Sequence, residues 1–186
     1  MGMHTKSAGV LFGAGLLLCT AGAAQAQTMR AEAAIQGCGE AYPGVGGRLE
    51  LIERPSAEGV KLVDVRLQVQ GLPDGKHAVH IHEVGACTPC GEAKGHFDPG
   101  PASMSSPDGN HPFHSGDLIN IEVRNGQGIM QTTTSRVTLS DGPLTLFDAD
   151  GSALIIHVDP DTYCPEGEAK GCAGGARAAC GIIERE

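Results

Sequence analysis

The stretch "VDVRLQVQ", residues 63–70, alternates in character along its whole length. Val63, Val65, Leu67 and Val69 occupy one parity, and Asp64, Arg66, Gln68 and Gln70 the other. Successive side chains of a strand point to opposite faces, so this segment reads as a half-buried β-strand with its aliphatic face on a core. "LINIEVRN" (118–125) repeats the pattern, with Ile119, Ile121 and Val123 expected inward. "GRLELIE" (47–53), "QGIMQTTTSRVTL" (127–139), "SALIIHV" (152–158) and "AACGII" (178–183) are weaker members, rich in β-branched residues. With "AEAAIQG" (31–37) and "HAVHIHEV" (77–84) the series reaches about eight strands. "GLPDG" (71–75) and "RNGQG" (124–128) have the Pro, Asp, Asn and Gly content of turns. No amphipathic helix interrupts the series, and many short strands joined by glycine-rich turns predict an all-β sandwich or barrel.

The chain begins differently. Lys6 precedes an apolar run (8–23) too short to span a bilayer comfortably, and "AQA" (24–26) supplies the small residues of a cleavage site. Residues 1–26 therefore read as a secretory signal and 27–186 as a single domain. The small-residue site argues against a retained anchor, and Leu18 before Cys19 is a poor lipobox residue. Export implies a periplasmic or extracellular protein without a membrane tie after cleavage. Removing Lys6 leaves 12 basic and 22 acidic residues, a net charge of −10. Such a surface repels nucleic acid and anionic membranes. Six cysteines remain (Cys38, Cys87, Cys90, Cys164, Cys172 and Cys180), an even set that suits disulfides in an oxidising compartment.

Two segments, 85–116 and 159–177, are long and rich in Gly, Pro, Asp, Ser and Cys. Loops of that length in a compact domain are usually functional or disordered. These carry three histidines, an arginine and four cysteines, which favours function. His80 and His82 share one face of their strand while Val79 and Ile81 face the core. His157 stands opposite Leu154, Ile156 and Val158 in the same way. An H-x-H pair alone is weak, because solvated strand histidines are common. "GHFDP" (95–99) and "NHPFHSGDL" (110–118) add His96, His111, His114 and Asp117. Three imidazoles and a carboxylate suit a closed zinc site, and an imidazole-rich set with an open position suits copper. His77 reads as an exposed residue at the start of its strand.

"HAVHIHEVGAC", "GHFDP", "HSGDL", "LIIHVDPD" and "GGARAACGII" stand in the order found in the Cu,Zn superoxide dismutases, and the chain resembles that family from Gln27 onward. The resemblance implies an eight-stranded Greek-key β-barrel, a sandwich type for which this enzyme is a standing example. It implies disproportionation of superoxide at a copper held by His80, His82, His96 and His157. His96 resembles the imidazole that bridges to a zinc, with His114 and Asp117 resembling further zinc ligands. Asp161 resembles the carboxylate that links the two metal sites by hydrogen bonds. Arg177 resembles the arginine beside the copper, the local positive charge that an anionic substrate needs on a chain of this net charge. Cys87 and Cys180 resemble the family disulfide.

The sequence departs from the family in two places. The next zinc histidine usually follows the bridging one sooner; Met104 stands in that neighbourhood, and His111 is the remaining candidate. The alternative is a copper-only or weakly zinc-bound site. Cys164 and Cys172 are close enough in sequence for a local bridge, leaving Cys38 with Cys90; a redox pair of Cys87 and Cys90 is the rival pairing. A copper-binding or copper-delivering protein on the same fold is the alternative function. The presence of both His157 and Arg177, and the lack of histidine in residues 27–37, favour the enzyme over a carrier. The sequence leaves a homodimer open.

Overall fold

In the computed structural model the alternation of residues 63–70 is realised as β3 (Lys61–Gln70), with Val63, Val65, Leu67 and Val69 buried. The structure describes residues 1–2, 28–100, 111–166 and 170–186, so the expected leader after Gly2 and Met104 lie outside the described residues. Around β3 the order of strands along the chain is β1 (Met29–Gly37), β2 (Gly46–Pro55), β4 (Gly75–His77) and β5 (Val79–His82). Then come β6 (Ile121–Arg124), β7 (Gln127–Thr134), β8 (Ala153–His157), β9 (Arg177–Ile182) and β10 (Glu184–Arg185). All named ladders are antiparallel.

The strands are hydrogen-bonded in the order β4-β6-β7-β3-β2-β1-β9-β8-β5, with β10 on β1. β4 and β5 stand at opposite ends of this path, yet only Ala78 separates them in sequence. One extended segment therefore draws the sheet into a nearly closed barrel. Counting β4 and β5 as that one segment gives the eight expected strands; β10 is a short addition. The chain leaves β3 for β4, three places away in the sheet, which is a Greek-key crossover. Inside, Leu49, Leu51, Val63, Val65, Leu67, Ile81, Ile121, Leu154 and Ile156 belong to one buried cluster. The hairpin of β6 and β7 turns at Asn125 and Gly126, whose φ angles of 54° and 70° are those a two-residue primed turn requires.

Three expectations at the residue level are corrected. Ile119 is 43 % exposed rather than inward. Leu118 is buried in its place, and Asn120 is turned aside to bond the backbone of Asp161, so the strand alternation begins only at Ile121. His77 is buried rather than exposed; its Nδ1 lies 2.9 Å from His157 O and its Nε2 2.9 Å from Pro73 O. The third concerns "QGIMQTTTSRVTL": β7 stops at Thr134, while Val137 and Leu139 enter the core from the connection to β8.

That connection is fastened by one buried carboxylate. Glu53 Oε2 accepts from the N–H of Leu139 (2.6 Å) and of Ser140 (2.9 Å), and Oε1 from Ser140 Oγ (2.7 Å). Burial by itself would raise the Glu53 pKa, but the Ser140 and Leu139 donors and the Lys61 charge together hold it below the usual value. A depressed folded-state pKa contributes stability above the unfolded glutamate pKa, and that stability is lost as pH falls through the folded value. Glu53→Gln is expected to lower stability by about 1–2 kcal/mol at neutral pH. The deficit should shrink in acid, where the wild type loses the same contribution. Urea unfolding of both proteins at neutral and acidic pH measures it; a deficit independent of pH would remove the carboxylate from this role.

Candidate metal centre

The centre is built on the outer face of the β5–β8 wall. In that ladder Val79 faces Ile156 and Ile81 faces Leu154, all directed to the core, while His80 faces Ile155 and His82 faces Ala153. The strand period thus sends both imidazoles outward. His157 ends β8 at a register irregularity after Ile156. An outward histidine is normally solvated, yet His80 and His82 have no exposed surface. The cover comes from the first long loop, which runs along the second edge of β5. Phe97 N–H donates to Ile81 O (2.8 Å), Ile81 N–H to Gly116 O (2.9 Å) and Gly116 N–H to Phe97 O (2.7 Å). His96 is thereby placed beside His82, and Asp117 beside His80. A Cβ on Gly116 would lie 2.2 Å from Ile81 O, so only glycine allows the loop this close.

Each of four imidazoles has one nitrogen engaged and one without a partner. His80 Nε2 lies 2.9 Å from Asp161 Oδ2, and His82 Nδ1 lies 2.9 Å from Lys94 O. His96 Nδ1 is 2.7 Å from Asp117 Oδ1, and His157 Nδ1 is 3.0 Å from Gly175 O. Carbonyls and carboxylates accept, so these nitrogens carry the ring protons and the opposite ones carry lone pairs. His80 Nδ1, His82 Nε2, His96 Nε2 and His157 Nε2 are buried with no hydrogen-bond partner among the described residues. Donor atoms of these four residues lie within 4.8 Å of one another. Burial is the main cause that lowers His82 well below the ordinary imidazole value, His96 to about 4 and His157 to about 3; neighbouring imidazoles add to it. Neutral, inward-facing imidazoles are the form in which histidine binds copper or zinc. Unmatched buried polar atoms are costly, so the fit to a cation is chemical as well as geometric.

A second convergent set consists of His80, His96, His111 and Asp117. Asp117 is buried and faces three histidines: His96 at 2.7 Å, and His111 and His114 at 3.1 Å through their Nδ1 atoms. His114 is therefore beside the carboxylate but outside the tightest set. His111 Nε2 is 2.9 and 2.8 Å from the two oxygens of Asp161. Asp161 consequently joins His80 of the first set to His111 of the second. Burial opposes the charging of His111, but Asp117 and Asp161 outweigh it and push its pKa up to about 9. Burial also opposes ionisation of both carboxylates, and the facing imidazoles hold each well below the usual range. A buried mixture of imidazole and carboxylate suits zinc, whose binding displaces such protons.

Arg177 opens β9, and its guanidinium donates to the carbonyl oxygens of Cys90 and Lys94. Its charge is close enough to lower the proton affinity of both His82 and His157. The disulfides are Cys38–Cys90, Cys87–Cys180 and Cys164–Cys172, with Cα separations of 5.8, 5.7 and 5.3 Å. Cys87 and Cys90 thus bond to different partners and form no redox pair with each other.

Several supporting residues were not legible in advance. Asn120 Nδ2 donates to Asp161 O (2.9 Å) and its Oδ1 accepts from Asp161 N–H (2.8 Å), locking the backbone under the linking carboxylate. Arg136 donates to the carbonyls of Asp117 (2.6 Å) and Pro112 (3.3 Å), holding the loop that bears His111 and His114. Both act through main-chain atoms of residues distant in sequence, for which a motif carries no signal. Among the described residues no helix is long and apolar enough to cross a membrane.

Residues 45–183 match the model of a protein family described as copper/zinc superoxide dismutase. Superoxide dismutase (Cu-Zn) 2 of Aquifex aeolicus is 39 % identical over 96 % of this chain and 98 % of its own length. The superoxide dismutase (Cu-Zn) of Deinococcus radiodurans is 35 % identical over 64 % of this chain and 69 % of its own. The extracellular superoxide dismutase (Cu-Zn) of Drosophila melanogaster is 36 % identical over 65 % of this chain and 67 % of its own. Among solved structures, the clock protein EA4 superposes with a TM-score of 0.65 and 26 % identity, covering 83 % of this chain and 92 % of that one. With a barrel of this topology and buried histidines converging on two centres, the chain belongs to the copper/zinc superoxide dismutase family.

Proposed function

We propose that the protein disproportionates superoxide, two superoxide anions and two protons giving dioxygen and hydrogen peroxide. In this reading His80, His82, His96 and His157 hold copper, and His96, His111, His114 and Asp117 hold zinc. The observation that carries it is the set of four buried imidazole nitrogens without partners, each on a ring fixed by a bond at its other nitrogen. When bound, copper supplies one-electron exchange between its two oxidation states and zinc a redox-inert charge.

The residues divide the remaining tasks. Lys94 O, Gly175 O and Asp161 orient the copper-facing rings, a form of support that metal-binding histidines commonly need. His96 Nδ1 faces Asp117, so its Nε2 is the atom that can hold a proton for the peroxide product. Arg177 stands at the mouth as a permanent cation, since a guanidinium stays charged at every working pH. It gives an anion a local reason to approach a chain whose net charge opposes it. All the residues given these tasks come from one chain, so this reading needs no residue from a second copy. The relatives are named as dismutases, which disfavours the copper-delivery alternative. We also take 1–26 as a cleaved leader and 27–186 as the working domain of an exported protein, supported by the leader pattern and by an extracellular relative.

Metal analysis with a superoxide assay tests the centre. His157→Ala is expected to lose most copper and nearly all activity while keeping zinc and the β-type circular dichroism. His111→Ala should lose zinc and thermal stability more than copper, because closed zinc sites contribute folding free energy. Unchanged copper and activity in the first variant would refute the copper assignment, and full zinc retention in the second would remove His111 from the zinc set.

Arg177→Glu is expected to slow the reaction by about tenfold or more at equal metal content, with Arg177→Lys much less affected. The wild-type rate should fall as salt rises, because screening shortens the reach of the charge. Equal rates for Lys and Glu at this position would show that the side chain does not guide substrate.

Terminal sequencing of the protein recovered from the extracytoplasmic fraction should begin at Gln27. Recovery with Met1 intact would overturn the leader assignment.

A further inference from the structure

Arg177 gains its position from a segment that is itself held by two disulfides. The acceptors of its guanidinium, Cys90 O and Lys94 O, flank or belong to the 3-10 turn Cys90–Ala93. Lys94 O also accepts from His82 Nδ1 (2.9 Å), so the same carbonyl orients one imidazole of the centre and the arginine above it. Cys90 is bonded to Cys38, which follows the end of β1. Cys38 N–H in turn donates to Ala178 O (2.8 Å), one residue beyond Arg177. The path closes on itself. It runs from the Arg177 side chain to the Cys90 carbonyl, through the Cys90–Cys38 bond, to the Cys38 amide and the Ala178 carbonyl, and back to the Arg177 main chain.

The second disulfide closes only a longer and looser ring. Cys87 bonds to Cys180, three residues from Arg177, and between Cys87 and Cys90 lie the exposed Thr88 and Pro89. It fixes the start of the segment, whereas Cys38–Cys90 fixes the residue whose own carbonyl receives the guanidinium. Both bridges pack with Ala93, Ala153 and Ile155 in a small apolar cluster separate from the barrel core. The Ala93 end of the turn is also tied to the chain after β5, by Val84 N–H on Ala93 O (3.3 Å) and Glu83 N–H on Gly95 O (3.0 Å), so the Cys38 bridge is the fastening at its Cys90 end.

We infer that the Cys38–Cys90 disulfide is a positioning element for Arg177, aiming the guanidinium through the Cys90 carbonyl. The two cysteines are positioning residues, since neither touches the reacting atoms. The inference rests on the reading of Arg177 as the group that guides superoxide. Loss of this bridge leaves the histidines and their hydrogen bonds in place but frees one of the two carbonyl anchors of the arginine.

The test uses the full-length exported protein and its Cys38→Ala/Cys90→Ala variant. Phenylglyoxal labelling of Arg177, read by peptide mass mapping, is independent of metal and of turnover. It should rise severalfold in the variant while the other arginines label as before. With copper and zinc contents equal, kcat/KM should fall by about tenfold or less, a partial loss of steering. In an Arg177→Gln background the same double change should bring no further loss, because residues acting through one interaction are not additive. Unchanged Arg177 labelling, or losses that simply add, would overturn the inference. Should the variant fail to fold, wild type treated with dithiothreitol and alkylated, with Cys38–Cys90 mapped as open and Cys87–Cys180 intact, gives the same labelling comparison. If the metallated wild type shows no dismutation, the proposed function fails, while the labelling result still decides whether the disulfide holds the arginine.

Discussion

The site depends on two buried carboxylates that are fully matched by imidazoles. Asp117 and Asp161 are 1 % and 4 % exposed, and an ionised carboxylate so removed from water costs several kcal/mol unless paired. Asp117 is matched by His96, His111 and His114, and Asp161 by His80 and His111. The anions fix which nitrogen of His80 and of His96 carries a proton, and so which is left to face the centre, as the carbonyls of Lys94 and Gly175 do for His82 and His157. Removing either one would free the rings to turn and would leave a cationic His111 with half of its compensation. The described parts of the loops that carry Asp117, His111 and Asp161 pack over the β5–β8 wall, where their charges are satisfied.

The barrel contributes a rigid edge rather than chemistry. β5 is laddered to β8 on one side, and the first loop occupies the other as if it were a strand, through Gly95, Phe97 and Gly116. The second loop returns over the same wall and is pinned from below by Asn120. Gly174 shows how tight the return is: at φ +95° its added Cβ would come within 2.5 Å of Ala78 Cβ and 2.8 Å of His157 Cβ. Disulfides fasten what hydrogen bonds leave loose. The Cys164–Cys172 bridge is internal to the second loop, and the other two tie the first loop to β1 and β9. Such bridges stabilise mainly by restricting the unfolded chain, and they suit segments with little apolar surface of their own.

Charge is organised at two length scales. The long-range field of the chain is negative, while near His82 and His157 the Arg177 guanidinium is anchored on main-chain carbonyls, with no carboxylate of the described residues paired to it. The interior is arranged the other way, with neutral imidazoles toward one centre and paired charges toward the other. Neutrality at the first comes from burial, since desolvation is the leading cause of the low proton affinity of His82, His96 and His157. Burial there is a product of loop packing and not of the strands that bear the rings.

How much of this was legible follows from the range of the forces involved. Strand parity is local, so the alternation at 63–70 and the shared face of His80 and His82 could be read directly. The Asn-Gly turn was equally local, because its left-handed backbone needs particular residues. The parity argument failed at Ile119, and the expectation that His77 is an exposed strand-entry residue failed too, each through a contact distant in sequence: Asp161 captures Asn120, and the carbonyl of His157, with that of nearby Pro73, encloses the His77 ring. The sequence by itself determined the all-β class, the strands and the residue types able to bind two cations. Only the tertiary structure decided which ring nitrogens face inward, which carbonyls aim His82, His157 and Arg177, and that Arg136 and Asn120 hold the loops. Those outcomes rest largely on side chains bonding main-chain groups elsewhere in the chain, and every residue carries such groups, so the sequence holds no mark of which ones are used.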